Sequence, residues 1–279
     1  MPLVSGAEVL LAAAKAGRGV GAFNVIQIEH ATALIAGAER VGAPVILQIS
    51  ENAVKYHGAL KPIGVATLAA AAAAQVPVVV HLDHAMERDL VTEAVSLGFT
   101  SVMFDASKLE YDENVAVTAE VTRYCHDRGV FVEAELGEVG GKDGVHAPGA
   151  RTRPDEAVAF VEATGIDALA VAVGSSHAMT ERTAQLDFAL ISELRDAVPV
   201  PLVLHGSSGV ADEDLTRAVE AGMTKVNIAT HLNNVFTGVV RTVLDQNPAM
   251  VDTRKYLGPA RDAVADEVCR LLGVLKAAS

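Results

Sequence analysis

Cysteine is scarce: Cys125 and Cys269 are the only two in 279 residues, and they lack the close spacing of a metal-binding or redox pair. Each falls in an amphipathic helical pattern, so both read as ordinary thiols of a reducing cytosol rather than as a disulfide framework. Basic residues are outnumbered, 22 Lys and Arg against 35 Asp and Glu, giving a formal net charge of −13 and a pI near 5.1. That balance argues against a nucleic-acid partner, which needs a basic face. It leaves room for a small anionic substrate, because backbone N–H groups bind phosphate without lysine. The start, Met1-Pro2-Leu3-Val4-Ser5, has neither the basic residues nor the apolar core of a signal peptide. One uncharged run, Pro62 to Val80, imitates a membrane span, but it is largely alanine, contains Gln75 and is broken by Pro77. A helix followed by a buried strand accounts for it better. The expectation is a soluble, cytoplasmic protein with no membrane partner.

The chain is also without a long linker, and strand-like and helix-like patterns alternate along its whole length. The predicted strands are Val20–Asn24, Pro44–Ile49, Val78–Asp83, Ser101–Asp105, Val130–Glu135, Ala168–Val173, Pro201–His205 and Lys225–Ile228. Between them, apolar residues at three- and four-residue spacing predict helices over Glu29–Val41, Ile63–Ala74, Glu87–Ser96, Glu113–Asp127, Pro154–Ala163, Phe188–Ala197 and Asp212–Ala221. Several end on a glycine stop followed by a new strand, as at Gly42, Gly98, Gly129, Gly165 and Gly222. Eight strand-then-helix units predict an α/β fold of the TIM (β/α)8 barrel type, one domain over residues 1–279. An open Rossmann-type sheet is the alternative; the strand count and the missing Gly-rich fingerprint after the first strand weigh against it. Leu136 to Arg153 is glycine-rich and polar and reads as a mobile lid, and Arg254 to Lys276 as a final amphipathic helix.

In a parallel barrel the carboxyl ends of the strands carry the site. Those ends hold Asn24, Ser50, Asp83 with His84, Asp105, Glu133 with Glu135, Ser175 with His177, His205, and Asn227 with Thr230. The stretch Pro77 to Ala85 typifies the pattern, a β-branched run closing on an acid beside an imidazole. The opposite ends carry small residues, and that asymmetry marks an active site. His84, His177 and His205, on three strand ends, form the ligand set of a catalytic zinc with one position open. Such an ion acts as a Lewis acid, polarising a carbonyl or stabilising an enediolate. Asp83 either orients His84 from behind or is itself the acid/base; the second reading is favoured. His30, His57, His126 and His231 read as ordinary satisfied histidines. Two small-residue segments at adjacent strand ends, Gly206-Ser207-Ser208 before a helix and Asn227-Ile228-Ala229-Thr230, read as a phosphate site. Asn24 and Ser50 join them as substrate-binding candidates.

Taken together, these segments resemble the class II, metal-dependent fructose-bisphosphate aldolase family, in particular its shorter branch that includes tagatose-bisphosphate aldolases. The likeness runs through Ala22-Phe23-Asn24, His81-Leu82-Asp83-His84, Ser101 to Ser107, Glu133-Ala134-Glu135-Leu136-Gly137, His205 to Gly209 and Asn227 to Thr230. The resemblance implies reversible retro-aldol cleavage of fructose 1,6-bisphosphate to dihydroxyacetone phosphate and glyceraldehyde 3-phosphate through a zinc-stabilised enediolate. It implies one Zn2+ per subunit on His84, His177 and His205, with Asp105 and Glu135 near an alternative metal position. It makes Asp83 the acid/base at the C4 hydroxyl, and it adds a monovalent cation, sodium or potassium, at the phosphate. Arg254 matches an arginine that reaches the other phosphate from a neighbouring subunit of a homodimer or homotetramer; an arginine suits a terminal phosphate on charge grounds too.

Three positions depart from the family pattern. Ala178 stands where the family usually has glycine beside the substrate. The lid reads Gly140-Gly141-Lys142-Asp143-Gly144, one residue short of the usual Gly-Gly-x-Glu-Asp, which leaves Asp143 as its carboxylate for proton transfer at C3. Thr253 replaces a proline before Arg254. The alternatives are an aldolase for tagatose bisphosphate or another phosphorylated ketose, a weakly active sugar-phosphate-binding paralogue, and a metal-dependent hydrolase on the same barrel.

Overall fold

The computed structural model describes residues 2–137, 151–175 and 182–278. Eight parallel strands close into a barrel in chain order. They are β1 (Val20–Asn24), β2 (Val45–Ser50), β3 (Val78–Ala85), β4 (Ser101–Phe104), β5 (Phe131–Glu135), β6 (Ala168–Ala170), β7 (Leu202–Leu204) and β8 (Met223–Ile228). The first half of the chain supplies helices α1 (Gly6–Ala16), α2 (Ile28–Val41), α3 (Glu51–His57), α4 (Leu60–Ala73), α5 (Arg88–Leu97) and α6 (Tyr111–His126). The second half supplies α7 (Pro154–Thr164), α8 (Phe188–Ala197), α9 (Asp212–Ala221), α10 (Thr230–Gln246) and α11 (Arg254–Val274). The predicted barrel is therefore the observed one. Strand limits move by a few residues: β6 stops at Ala170, although the Val171 N–H still reaches the Val203 carbonyl at 3.2 Å.

Both faces of each strand are buried, which is why the strands read as near-continuous apolar runs. Outward residues such as Val78, Val80 and Leu82 of β3 pack under the helices. Inward residues at the amino end, including Val20, Ala22, Ile46, Val79 and Met103, pack on Val9 and Leu10 of α1. Helix α1, which the strand–helix alternation did not anticipate, thus plugs the floor of the barrel. Ser5 starts it with a capping box: its hydroxyl accepts from the Ala7 N–H while the Glu8 carboxylate accepts from the Ser5 N–H. α3 and α10 were likewise not anticipated.

At the other end of the chain, α11 lies on α2 at a distance only glycine permits. A Cβ at Gly37 would sit 2.7 Å from the Ala265 carbonyl oxygen. A charged cluster ties α11 to the carboxyl rim: Arg270 pairs with Glu267 and with Asp212 at the start of α9, Asp212 also pairs with Arg182, and His231 of α10 pairs with Glu267. Burial opposes ionisation of Asp212, but Arg270 and Arg182 outweigh it and hold the carboxyl below its usual range. A depressed carboxyl stabilises the fold above its unfolded pKa, and that contribution disappears as pH falls through the folded one. Arg270→Gln should therefore cost about 0.5–1 kcal/mol at neutral pH, the scale of a partly exposed charge network. Urea unfolding against pH should show this gap closing below the ordinary carboxylate range; a gap that persists in acid would mean that packing, not charge, was lost.

Candidate active site

Consecutive residues of a strand face opposite sides, so Asp83 and His84 ought to diverge. They do not, because the register of β3 against β4 shifts between Leu82 and Ala85, and His84 takes φ of +50°. A non-glycine residue at positive φ is uncommon, and such strain gathers at functional sites. Both side chains consequently line one cavity of about 170 Å³ at the carboxyl rim, together with His205. Asn24, Ser50, Gly206, Ser207, Ser208, Asn227, Ala229 and Thr230 line the same cavity.

The two imidazoles are held from behind. His84 Nδ1 lies 2.8 Å from Asp105 Oδ2, and His205 Nε2 lies 2.9 Å from Glu133 Oε1. Carboxylates only accept, so each ring carries its N–H on that outer side and turns its other nitrogen inward. The inward pair, His84 Nε2 and His205 Nδ1, meet at 2.9 Å. Two neutral rings so arranged would set lone pair against lone pair, and the geometry calls for a cation between them. Burial opposes charge on His84, but Asp83 and Asp105 with Glu135 outweigh it and push its pKa up to about 10. His205, fully buried, is pushed down by desolvation, only partly offset by Glu133. Positive charge on the pair is therefore favoured on His84 and opposed on His205.

Ligand-grade atoms of Asp83, His84 and His205 lie within 4.8 Å of one another, as do those of His84, Asp105 and Glu135. Imidazole nitrogens backed by carboxylates are the donors that zinc and similar divalent ions take. The residues fit a metal. Asp83 is 3% exposed, and burial alone would favour its neutral acid. His84, Lys225, His205 and His81 outweigh that and hold it below the usual carboxylate range, so it is ionised at neutral pH. Asp105 is held low in the same way by His84, with Ser107 donating from both its N–H and its hydroxyl.

The phosphate-loop candidates lie beside this cluster. Gly206 takes φ of +67° directly after His205, a turn that costs any other residue strain. Ser175 Oγ donates to the His205 carbonyl at 2.6 Å, Ser207 Oγ donates to the Asn227 carbonyl, and Asn227 Nδ2 faces Asp83 Oδ1 at 3.4 Å. Ser50 also caps α3, accepting from the Ala53 N–H.

Four of the predicted site residues that the structure describes do not line this cavity: Asp105, Glu135, Ile228 and Arg254. Ile228 is buried in the core cluster between barrel and helices. Arg254 is exposed at the start of α11, paired with Asp252, and does not line this cavity. His177, Ala178 and Asp143 lie outside the described residues, as does most of the predicted lid. Of the histidines assigned no role, His57 meets the Ile26 carbonyl at 2.6 Å, His126 meets Asp167 at 2.9 Å and His231 pairs with Glu267, whereas His30 accepts from the Ile26 N–H but its buried Nε2 has no hydrogen-bond partner among the described residues. Sequence reasoning did not single out Gln48, Asn52, His81 or Lys225. Gln48 and Asn52 line the cavity; His81 and Lys225 lie fully buried beneath it.

A closed parallel barrel with such a donor cluster at its carboxyl rim has the construction of a metal-assisted barrel enzyme. Comparison with known proteins narrows the class. The family model "Fructose-bisphosphate aldolase class-II" matches residues 4–279. A fructose-bisphosphate aldolase of Geobacillus stearothermophilus is 42% identical over 268 residues, 95% of this chain and 93% of that protein. One of Staphylococcus epidermidis is 41% identical over 272 residues, 96% of this chain and 95% of that protein. Among solved structures, the YdjI aldolase of Escherichia coli K12 superposes with a TM-score of 0.83 at 30% identity, covering 99% of this chain and 98% of that one. The chain belongs to the class-II fructose-bisphosphate aldolase family. Among the described residues, no helix is long and apolar enough to cross a membrane.

Proposed function

We propose that this chain cleaves fructose 1,6-bisphosphate reversibly into dihydroxyacetone phosphate and glyceraldehyde 3-phosphate. One observation carries the reading within the family: two imidazoles meet nose to nose at 2.9 Å beside an ionised, buried carboxylate. His84 and His205 would hold a single Zn2+, with His177 as the third ligand. When bound, the ion supplies Lewis-acid charge that draws electron density from the substrate carbonyl. Asp105 and Glu135 offer His84 an alternative metal position, and Asp105 with Glu133 keeps the two rings oriented.

Asp83 acts at the C4 hydroxyl. Its carboxylate takes the hydroxyl proton, the oxygen's electrons form the aldehyde, and the C3–C4 pair leaves with the dihydroxyacetone phosphate fragment. C3 is then protonated, for which the lid of residues 136–153 offers Asp143. Gly206, Ser207 and Ser208, together with Asn227, Ile228, Ala229 and Thr230, bind the dihydroxyacetone phosphate end, where a sodium or potassium ion assists. Asn24, Ser50 and Ala178 contact the sugar. Arg254, remote from its own cavity, reaches the second phosphate of a neighbouring subunit in a homodimer or homotetramer. We read residues 1–279 as one aldolase domain working in the cytoplasm, in keeping with its free thiols.

The test is triose phosphate release from fructose 1,6-bisphosphate by the purified chain, before and after dialysis against a chelator. Activity should fall to background and return when zinc is restored. Cleavage that survives complete metal removal would dismiss the metal-assisted reading. Higher kcat/KM on the C4 epimer would move the substrate to tagatose bisphosphate.

A further inference from the structure

Beneath the facing imidazoles, the barrel interior carries a second polar layer. Lys225 of β8 is fully buried and reaches across the barrel to two other strands. Its Nζ donates to Glu133 Oε2 of β5 at 2.6 Å and to His81 Nε2 of β3 at 3.2 Å. His81 passes the chain of bonds on, donating from Nδ1 to Ser101 Oγ at 2.7 Å. The other Glu133 oxygen, Oε1, accepts from His205 Nε2 at 2.9 Å. Glu133 is thus a two-ended bridge, tied by an ammonium on one oxygen and by an imidazole on the other.

Stability is a poor reason for this arrangement. Apolar side chains of similar volume are often as good as a buried ion pair or better. A barrel interior is normally filled with branched apolar residues. What the pair does supply is direction. A carboxylate free to rotate or to take up a proton would not hold one nitrogen of His205 as a fixed donor. Among the described residues a competing contact is that of the Asn227 amide, which lies 3.4 Å from the same His205 Nε2 and, as a donor, would favour the opposite tautomer. The carboxylate contact is shorter by 0.5 Å and charge-assisted, so it sets the proton.

We propose that Lys225 is a positioning residue for the metal site: by anchoring Glu133 it fixes the proton of His205 on Nε2 and aims the Nδ1 lone pair at His84. The inference rests on the reading of His84 and His205 as metal ligands. It extends the site by a layer, from ligand to carboxylate to buried cation.

The test measures zinc affinity of the whole chain by chelator competition, with the visible spectrum of the cobalt-substituted protein as a second readout. Partners behind a ligand typically account for 10–100-fold in metal affinity. Lys225→Met should therefore weaken zinc binding by about 10–100-fold and alter the cobalt bands, and so should Glu133→Gln. Because Lys225 acts through Glu133, adding Lys225→Met to Glu133→Gln should cost less than about threefold more, as coupled neighbours do. Native affinity with an unchanged cobalt spectrum in Lys225→Met would overturn the proposal, as would full additivity in the double variant. Should Lys225→Met not fold, ring-nitrogen NMR of the native, histidine-labelled, metal-free chain decides. A His205 proton on Nε2 supports the proposal and one on Nδ1 defeats it. A native chain that takes up no zinc sinks the metal reading itself, an outcome distinct from any failure of Lys225.

Discussion

Replacing Asp83 with asparagine lowers kcat by about 10²–10⁴-fold, the usual contribution of a positioned general base, while zinc content stays native. The separation follows from the geometry. The outer nitrogens of His84 and His205 are held by Asp105 and Glu133, so the ring pair does not depend on Asp83 for its orientation. Asp83 instead presents an ionised oxygen to the cavity, kept charged by His84, Lys225, His205 and His81 against its burial. Asparagine keeps the volume and the contact with Asn227, but it has no basic oxygen for the C4 proton. KM should move far less than kcat, because the base acts in the transition state. Zinc lost in proportion to activity would make Asp83 a ligand instead, an arrangement that its 4.8 Å proximity to both histidines allows.

Replacing His205 with alanine has the larger effect: zinc and activity disappear together. Lewis-acid stabilisation is worth several kcal/mol, so the loss should exceed about 10³-fold at 1.36 kcal/mol per decade. The substitution also strips one hydrogen bond from the buried Glu133 carboxylate, at a cost of about 1–3 kcal/mol in folding. Lys225 still holds the other oxygen, so the barrel should remain intact by circular dichroism. Metal analysis and the triose phosphate assay on the same sample provide the check. Substantial zinc retained at native affinity would remove His205 from the ligand set.

The barrel was legible in the sequence because strands buried on both faces have to be short, apolar and β-branched, and glycine stops separated them from helices. The helices that escaped notice did so for separate reasons. α1 precedes the first strand–helix unit and packs across the floor, where alternation offers no place for it, although Ser5 and Glu8 carried its capping signal. α3 continues directly from β2, with Ser50 serving both as its cap and as a lining of the cavity.

At the site, residues on strand ends were readable, but depth was not. Glu133 was noted as a rim acid, whereas it sits mid-strand with no exposed surface. Lys225 stands two residues before Asn227 in β8, a spacing that puts both on the interior face once register is known. The sequence places Asp83 and His84 at one strand end, but the turn that brings both side chains into one cavity depends on a backbone angle that residue type does not announce.

The apolar plug formed by α1 has one more implication. With Val9 and Leu10 packed into Val79, Met103 and Phe131, and charged side chains bonded to one another above them, the floor of the barrel is apolar among the described residues, while the cavity that holds Asp83 lies at the carboxyl rim. A metal ion or proton exchanged with Asp83 therefore has its direct route through that upper mouth. Whatever covers that doorway governs traffic through it in both directions at once.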